Sequence, residues 1–196
     1  MDHGIYQDGE IIAKFTSPIT IRSNKPVTVS DTLSLKRFVS TSSAQRWEIE
    51  AGLEPLSLDA NDLMVNLVTS GHENGVQVVV PQNYGVYRKN TGSGTVTASG
   101  SADSDTVTIS GLSGTLKKGT FVKFANHNKL YMLKEDSTST TLKVYPELRS
   151  DLSSVVVKYS NDVIVEFYYD TDVVTGMVYS DGILMDLGTI RLVEKL

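Results

Sequence analysis

The stretch "GTLKKGTFVKFANHNKLYMLKED", Gly114 to Asp136, decides between two readings of the chain. It carries Lys117, Lys118, Lys123, Lys129 and Lys134, with His127 among them. Lysines interleaved with aromatic residues point to a nucleic-acid surface. The same stretch alternates with a period of two. Phe121, Lys123 and Ala125 oppose Val122 and Phe124, and Leu130 and Met132 oppose Tyr131 and Leu133, as in a β-hairpin. Its connection, "ANHNK", is short and polar, and Asn and His tolerate left-handed backbone. The lysines fall at glycine-flanked turns and on the face opposite the apolar residues, where solvated lysines guard strand edges. A single-strand platform needs aromatic rings outward beside its lysines. Phe121 and Phe124 fall on opposite faces, so they cannot both serve. The hairpin is therefore read as scaffold.

Working outward, short β-branched runs at 95–97, 106–109, 141–144 and 155–159 flank the two strands of the hairpin. The Ser/Thr/Gly-rich segment 91–113 reads as two of these strands around the exposed turn "SGSADSD". Six short strands in succession, separated by turn residues, predict a small closed barrel or sandwich. The surrounding chain has longer strands. "AQRWEIEAGLEPL" puts Trp47, Ile49 and Ala51 on one face, with Gln45, Arg46, Glu48 and Glu50 as the polar partners. "VTVSDTLSL" from Val27 alternates, "VQVVVP" reads as a buried strand ended by Pro81, and "VIVEFYYD" alternates Val163, Val165, Phe167 and Tyr169 against Ile164, Glu166 and Tyr168. "GMVYSDGILMDLGTIRLVEKL" reads as a hairpin turning at Ser180-Asp181-Gly182, followed by a last strand. One helix is predicted over about 58–70. Ser57 or Asp59 caps it, Leu63/Leu67 and Met64/Val68 form its apolar stripe, and Gly71 closes it. The predicted architecture is mainly β: a base of residues 1–86 and 163–196 with one helix, interrupted by an inserted small barrel over 87–162.

Composition narrows the function. The 196 residues contain no cysteine, which excludes disulfide scaffolds, thiol nucleophiles and cysteine-based metal sites and fits a reducing cytosol. The start, "MDHGIYQDGE", lacks the basic and apolar segments of a signal peptide, and no apolar run reaches a membrane-spanning length. Net charge is −5 and unevenly divided. Residues 87–162 carry ten basic and seven acidic side chains, or +3, and the rest of the chain carries −8.

No catalytic constellation emerges. His3, read as part of a mobile terminus, His72 and His127 are far apart, and none has metal-site spacing. "GSGTVTASG" leads to strands rather than a helix, so it is no phosphate cradle. Asp170 and Asp172 lack the calcium-loop pattern, and Glu48 and Glu50 line the wet face of the Trp47 strand. The sequence therefore predicts no enzyme, catalytic residue, metal or cofactor.

Two longer stretches resemble a known family. "ISGLSGTLKKGTFVKFANHNKLYMLKEDSTSTTLKVYPELR", Ile109 to Arg149, is similar to a segment of tail proteins of tailed bacteriophages. "SAQRWEIEAGLEPLSLDANDLMVNLV" followed by "VQVVVPQ" is similar to the strand–helix–strand core of distal tail proteins of long-tailed phages. The resemblance spans roughly residues 30–196. It implies a tail-tube-like β-sandwich or barrel interrupted by an OB-type barrel. It also implies a structural virion protein at the tail tip, made in the host cytoplasm, and a homohexameric ring that joins the tail tube protein to the baseplate hub. The ring would support receptor-binding or side-fibre proteins, and DNA would meet it only in passage. Alternatives within the same resemblance are a hub, tube, tail-terminator or contractile-tail baseplate component, or a glycan-binding module for host adsorption. An acidic lumen would let DNA slide, with Glu48, Glu50, Asp59 and Asp62 as its candidate residues. Tyr131, Tyr145 and Lys129 are the candidate glycan or partner contacts on the inserted barrel.

Overall fold

The computed structural model describes residues 3–31, 37–41, 44–55, 65, 73–82, 90–170, 178–180, 183–186 and 188–196. Strands β1 (Gly4–Gln7) and β2 (Glu10–Asn24) form an N-terminal hairpin. Its turn is Asp8-Gly9, both with positive φ (50° and 100°), the geometry that matches the twist of a two-residue hairpin. Six antiparallel strands then close the first barrel in the order β1, β2, β5 (Arg46–Pro55), β16 (Thr189–Glu194), β13 (Ile164–Tyr169), β6 (Val76–Val79) and back to β1. Alternation fills it. Ile5, Phe15, Trp47, Ile49, Ala51, Leu53, Val78, Val165, Phe167, Ile190 and Leu192 all point inward and are buried. Strand β2 bends where its register against β5 jumps between Thr16 and Thr20. Pro18 sits in that bulge, where its missing N–H disturbs no ladder bond.

All six strands expected between residues 95 and 159 form: β7 (Val96–Gly100), β8 (Thr106–Ser110), β9 (Phe121–Phe124), β10 (Leu130–Leu133), β11 (Thr141–Tyr145) and β12 (Leu152–Tyr159). They close a second barrel in the order β10, β11, β8, β7, β12, β9. The core holds Val96, Val107, Ile109, Leu116, Val122, Phe124, Tyr131, Leu133, Leu142, Val144 and Leu148. The mainly-β expectation therefore holds. The second barrel has six strands, one more than the five of an OB-fold. The strands of the first barrel come from both sides of it in sequence, and the two flanks meet where the Val80 amide donates to the Val163 carbonyl at 3.0 Å.

Two small ribbons lie outside the barrels: β3 (Val27–Asp31) with β4 (Arg37–Thr41), and β14 (Val178–Ser180) with β15 (Ile183–Asp186). The second is the expected hairpin around residues 181–182, with Ser180 opposite Ile183. The helix expected over 58–70 lies outside the described residues except for Val65, which is helical and exposed.

Several expectations need correction. His3 is not in a free tail, because its carbonyl accepts the Phe15 amide at 2.9 Å and it is partly buried. Gln77 on β6 is exposed, so that strand is not buried on both faces. The "ANHNK" turn uses no left-handed residue. The non-glycine positive-φ positions among the described residues are Asp8, Asp103, Ser154 and Ser160.

Candidate functional site

The β9–β10 hairpin has no wet face. Val122, Phe124, Tyr131 and Leu133 point into their own barrel, while Phe121, Leu130 and Met132 join the core cluster of the first barrel. A strand buried on both faces needs polar partners for whatever cation it carries, and the lysines here have them. Lys123 Nζ donates to the Ile164 carbonyl at 2.8 Å and to Asn128 Oδ1 at 3.1 Å. Lys129 Nζ donates to the Gln45 carbonyl at 2.9 Å, to Gln45 Oε1 at 2.7 Å and to Glu194 Oε2 at 2.5 Å, which uses all three of its protons. The solvated-lysine reading thus fails at these two positions, because the face opposite the barrel core is covered by the first barrel.

Glu194 is the hub of the seam between the barrels. Besides Lys129 it accepts the Leu130 amide at 2.6 Å and the Trp47 amide at 3.0 Å. Trp47 Nε1–H donates to the Leu130 carbonyl at 2.8 Å, and its ring meets Phe121 and Tyr145 edge-on at 5.3 and 6.0 Å. Burial pushes Glu194 up and Lys129 down, each opposed by the charge of the other. Asn128 bridges the barrels by donating to the Glu166 and Lys195 carbonyls and accepting the Glu166 amide. The Gln82 side chain pairs with the Phe121 backbone in both directions.

The remaining lysines of the stretch are mostly neutralised at the surface. Lys117 meets Asp136 at 2.9 Å and Lys134 meets Asp105 at 2.6 Å. Nearby, Lys143 meets Glu135 at 3.1 Å. A phosphate-gripping surface needs unpaired cations, so the pairing argues against one.

The candidate residues are scattered. Tyr131 has 0% exposure and cannot touch a glycan. Its hydroxyl accepts the Arg149 amide at 3.1 Å and lies 2.8 Å from His127 Nε2. Burial raises its pKa to about 12. The hydroxyl therefore donates to Nε2, and His127 Nδ1–H donates to Asn126 Oδ1 at 2.7 Å, which assigns a neutral imidazole from the network. Lys129 is buried as well, so its partner is this chain's own Glu194. Glu48 is buried on the outside of β5 rather than on a wet face. It binds Asn24 at 2.7 Å and Arg191 at 2.8 Å, with Arg46 at 3.8 Å. Burial acts to raise its pKa, but Asn24 and Arg191 outweigh it and hold the carboxyl below its usual range. Glu50 pairs with Arg22 at 3.0 Å. Both carboxylates are thus spoken for by arginines, which weakens them as lumen charges. Asp59 and Asp62 lie outside the described residues.

Of the two candidate tyrosines, only Tyr145 borders a cleft, which the buried Lys129 also lines. The cleft, of about 360 Å³, lies where the second barrel meets the start of β5. Val144 and Leu148 contribute buried floor, and Lys25, Asp103, Glu147 and Arg149 also line it. The Tyr145 hydroxyl is 2.9 Å from Ser23 Oγ, which fixes the ring.

A second exposed feature is the β3–β4 ribbon. Its register sets Val29 opposite Val39 and Val27 opposite Thr41, so the three valines share one face, and Phe38 stands on the other. Phe38 and Val39 are 53% and 56% exposed, and Val27 and Val29 are exposed as well.

Sequence reasoning missed the seam although a signal existed. In "TIRLVEKL", Ile190 and Leu192 alternate inward, and Glu194 is next in the same register. A carboxylate in a core-facing position calls for a buried cation elsewhere. Among the described residues no three His, Cys, Asp or Glu side chains are grouped to hold a metal, and no helix is long and apolar enough to cross a membrane. No family model and no curated protein matches this sequence.

Proposed function

We propose that this chain is a structural subunit of a bacteriophage tail. It assembles into a ring at the far end of the tail tube, joins the tube to the baseplate hub, and presents the second barrel outward to other tail proteins. The observation that carries the reading is the β3–β4 ribbon. A two-stranded ribbon alone is marginal in water, and this one exposes Val27, Val29, Phe38 and Val39 and pairs with no further strand among the described residues. Such an element gains its stability from another subunit, and head-to-tail contact between unlike surfaces closes rings. Two closed barrels locked by a buried polar seam suit a load-bearing part. The likeness of the first quoted stretch to phage tail proteins, and of the second to distal tail proteins, supports the sixfold ring. The −8 charge outside residues 87–162 favours a lumen that repels DNA and lets it pass.

Light scattering after size exclusion, over a range of concentrations and with and without a tail-tube protein, tests this. A hexamer or a pair of hexamers is expected, and Val29→Glu with Val39→Glu should return it to monomer with the barrels intact by circular dichroism. A wild-type protein that stays monomeric at high concentration and never joins the tube protein would overturn the proposal.

A further inference from the structure

We infer that the cleft beside Tyr145 is a binding site for an uncharged, hydroxyl-rich saccharide. Its size, about 360 Å³, falls within the roughly 300–1,000 Å³ of small-molecule clefts, which favour junctions between domains. The walls are held in place before any ligand arrives. The Asp103 amide donates to the Leu148 carbonyl at 2.8 Å and the Leu148 amide to the Ser104 carbonyl at 2.9 Å. The Arg149 amide donates to the buried Tyr131 hydroxyl. A preformed wall spares the ordering cost of binding.

Lys129 and Gln45 on those walls are bonded to each other, but four charged side chains there are unspent. Among the described residues, the side chains of Lys25, Asp103, Glu147 and Arg149 have no hydrogen bond or ion pair, in contrast to the paired Lys134 and Asp105 at the rim. Their signs select the ligand. A polyanion that approached Lys25 and Arg149 would also meet Asp103 and Glu147, and a cation would meet the reverse. A neutral molecule that both donates and accepts satisfies all four. Carboxylates accept from hydroxyls, and the guanidinium fork donates two parallel bonds. The half-buried Tyr145 ring, braced edge-on by Trp47, supplies the apolar face on which a sugar ring can lie. The site belongs to a single chain, so it stands whether or not the protein forms a ring.

The test is an array of neutral, sulfated and phosphorylated oligosaccharides, followed by saturation-transfer NMR with the neutral glycan retained best. Arg149→Ala and Glu147→Gln remove unpaired, exposed side chains, so their melting temperatures should match wild type while binding weakens at least tenfold in each. Light scattering on the same samples reads the oligomer separately. The inference is overturned if no neutral glycan is retained, if only the charged glycans bind, or if both variants bind as tightly as wild type.

Discussion

Replacing Lys129 with methionine tests the seam most directly. The lysine side chain is 4% exposed and its partner Glu194 is 0% exposed. Methionine keeps most of the stem but withdraws three hydrogen bonds and, among the described residues, the only cation within salt-bridge distance of that carboxylate. Removing one partner of a buried pair costs about 3–5 kcal/mol, because the other charge is left behind. At about 2–4 °C per kcal/mol for a chain of this size, the melting temperature should fall by something on the order of 6–20 °C. The loss should grow with pH. Glu194 already has a raised folded pKa, and without Lys129 it rises further. The folded state then holds a proton that the unfolded chain gives up, and stability drains away as pH climbs from the unfolded value through the folded one. Thermal melts at pH 5 and pH 8 by circular dichroism read this, and fluorescence of Trp47, the single tryptophan, reports on the seam itself. The double variant with Glu194→Gln should recover part of the loss, since the neutral amide oxygen still accepts one of the two backbone amides that Glu194 holds. A single variant within about 0.5 kcal/mol of wild type, the range of ordinary surface substitutions, would refute the buried seam.

Three further outcomes follow from the same geometry. Trp47→Phe leaves the Leu130 carbonyl without its 2.8 Å donor and should cost about 1–3 kcal/mol, seen as a lower urea midpoint with an unchanged slope. His127 has a folded pKa lowered by burial and then by Arg149, Lys123 and Lys129. As pH falls below about 6.5, the unfolded chain takes up a proton that the folded one refuses, so stability declines toward the folded value, and His127→Gln should abolish that part of the slope in a urea series. Gly111 has φ +85°, and an added Cβ would meet the Thr95 carbonyl oxygen at 2.2 Å. Gly111→Ala should therefore cost about 1–3 kcal/mol of backbone strain in chemical denaturation, whereas alanine at a neighbouring exposed position such as Ser110 should not.

The β-class and the strands of the second barrel were legible because period-two alternation and turn residues are local signals. The inward faces of β5 and β13 were legible for the same reason. What lay hidden was the second face of β9 and β10. Alternation tells which residues share a side, but not whether that side meets water or another barrel, and Lys123 and Lys129 were placed in solvent on that account. The N-terminal hairpin was also readable, since Asp8-Gly9 stands between Ile5-Tyr6 and Ile11-Ile12, but the polar start of the chain obscured it. At the candidate site, Tyr131 and Tyr145 are indistinguishable by sequence pattern. Only the closure of the barrel sends the first into the core and leaves the second beside the cleft.

The 3.0 Å bond between the Val80 amide and the Val163 carbonyl has a kinetic consequence. The second barrel is built from one unbroken segment, so its contacts can form without waiting for the rest. The first barrel must bring β6 to β13 across that whole segment. Closing a loop of flexible chain costs roughly 0.6 kcal/mol more for each doubling of its length. Once the second barrel has folded, its two ends lie side by side, and the long loop behaves as a short splice. The inserted barrel thereby acts as a folding template for the barrel it interrupts. Amide protection in pulse-labelled refolding should therefore appear in β7 to β12 before it appears at the pairing of β13 with β6.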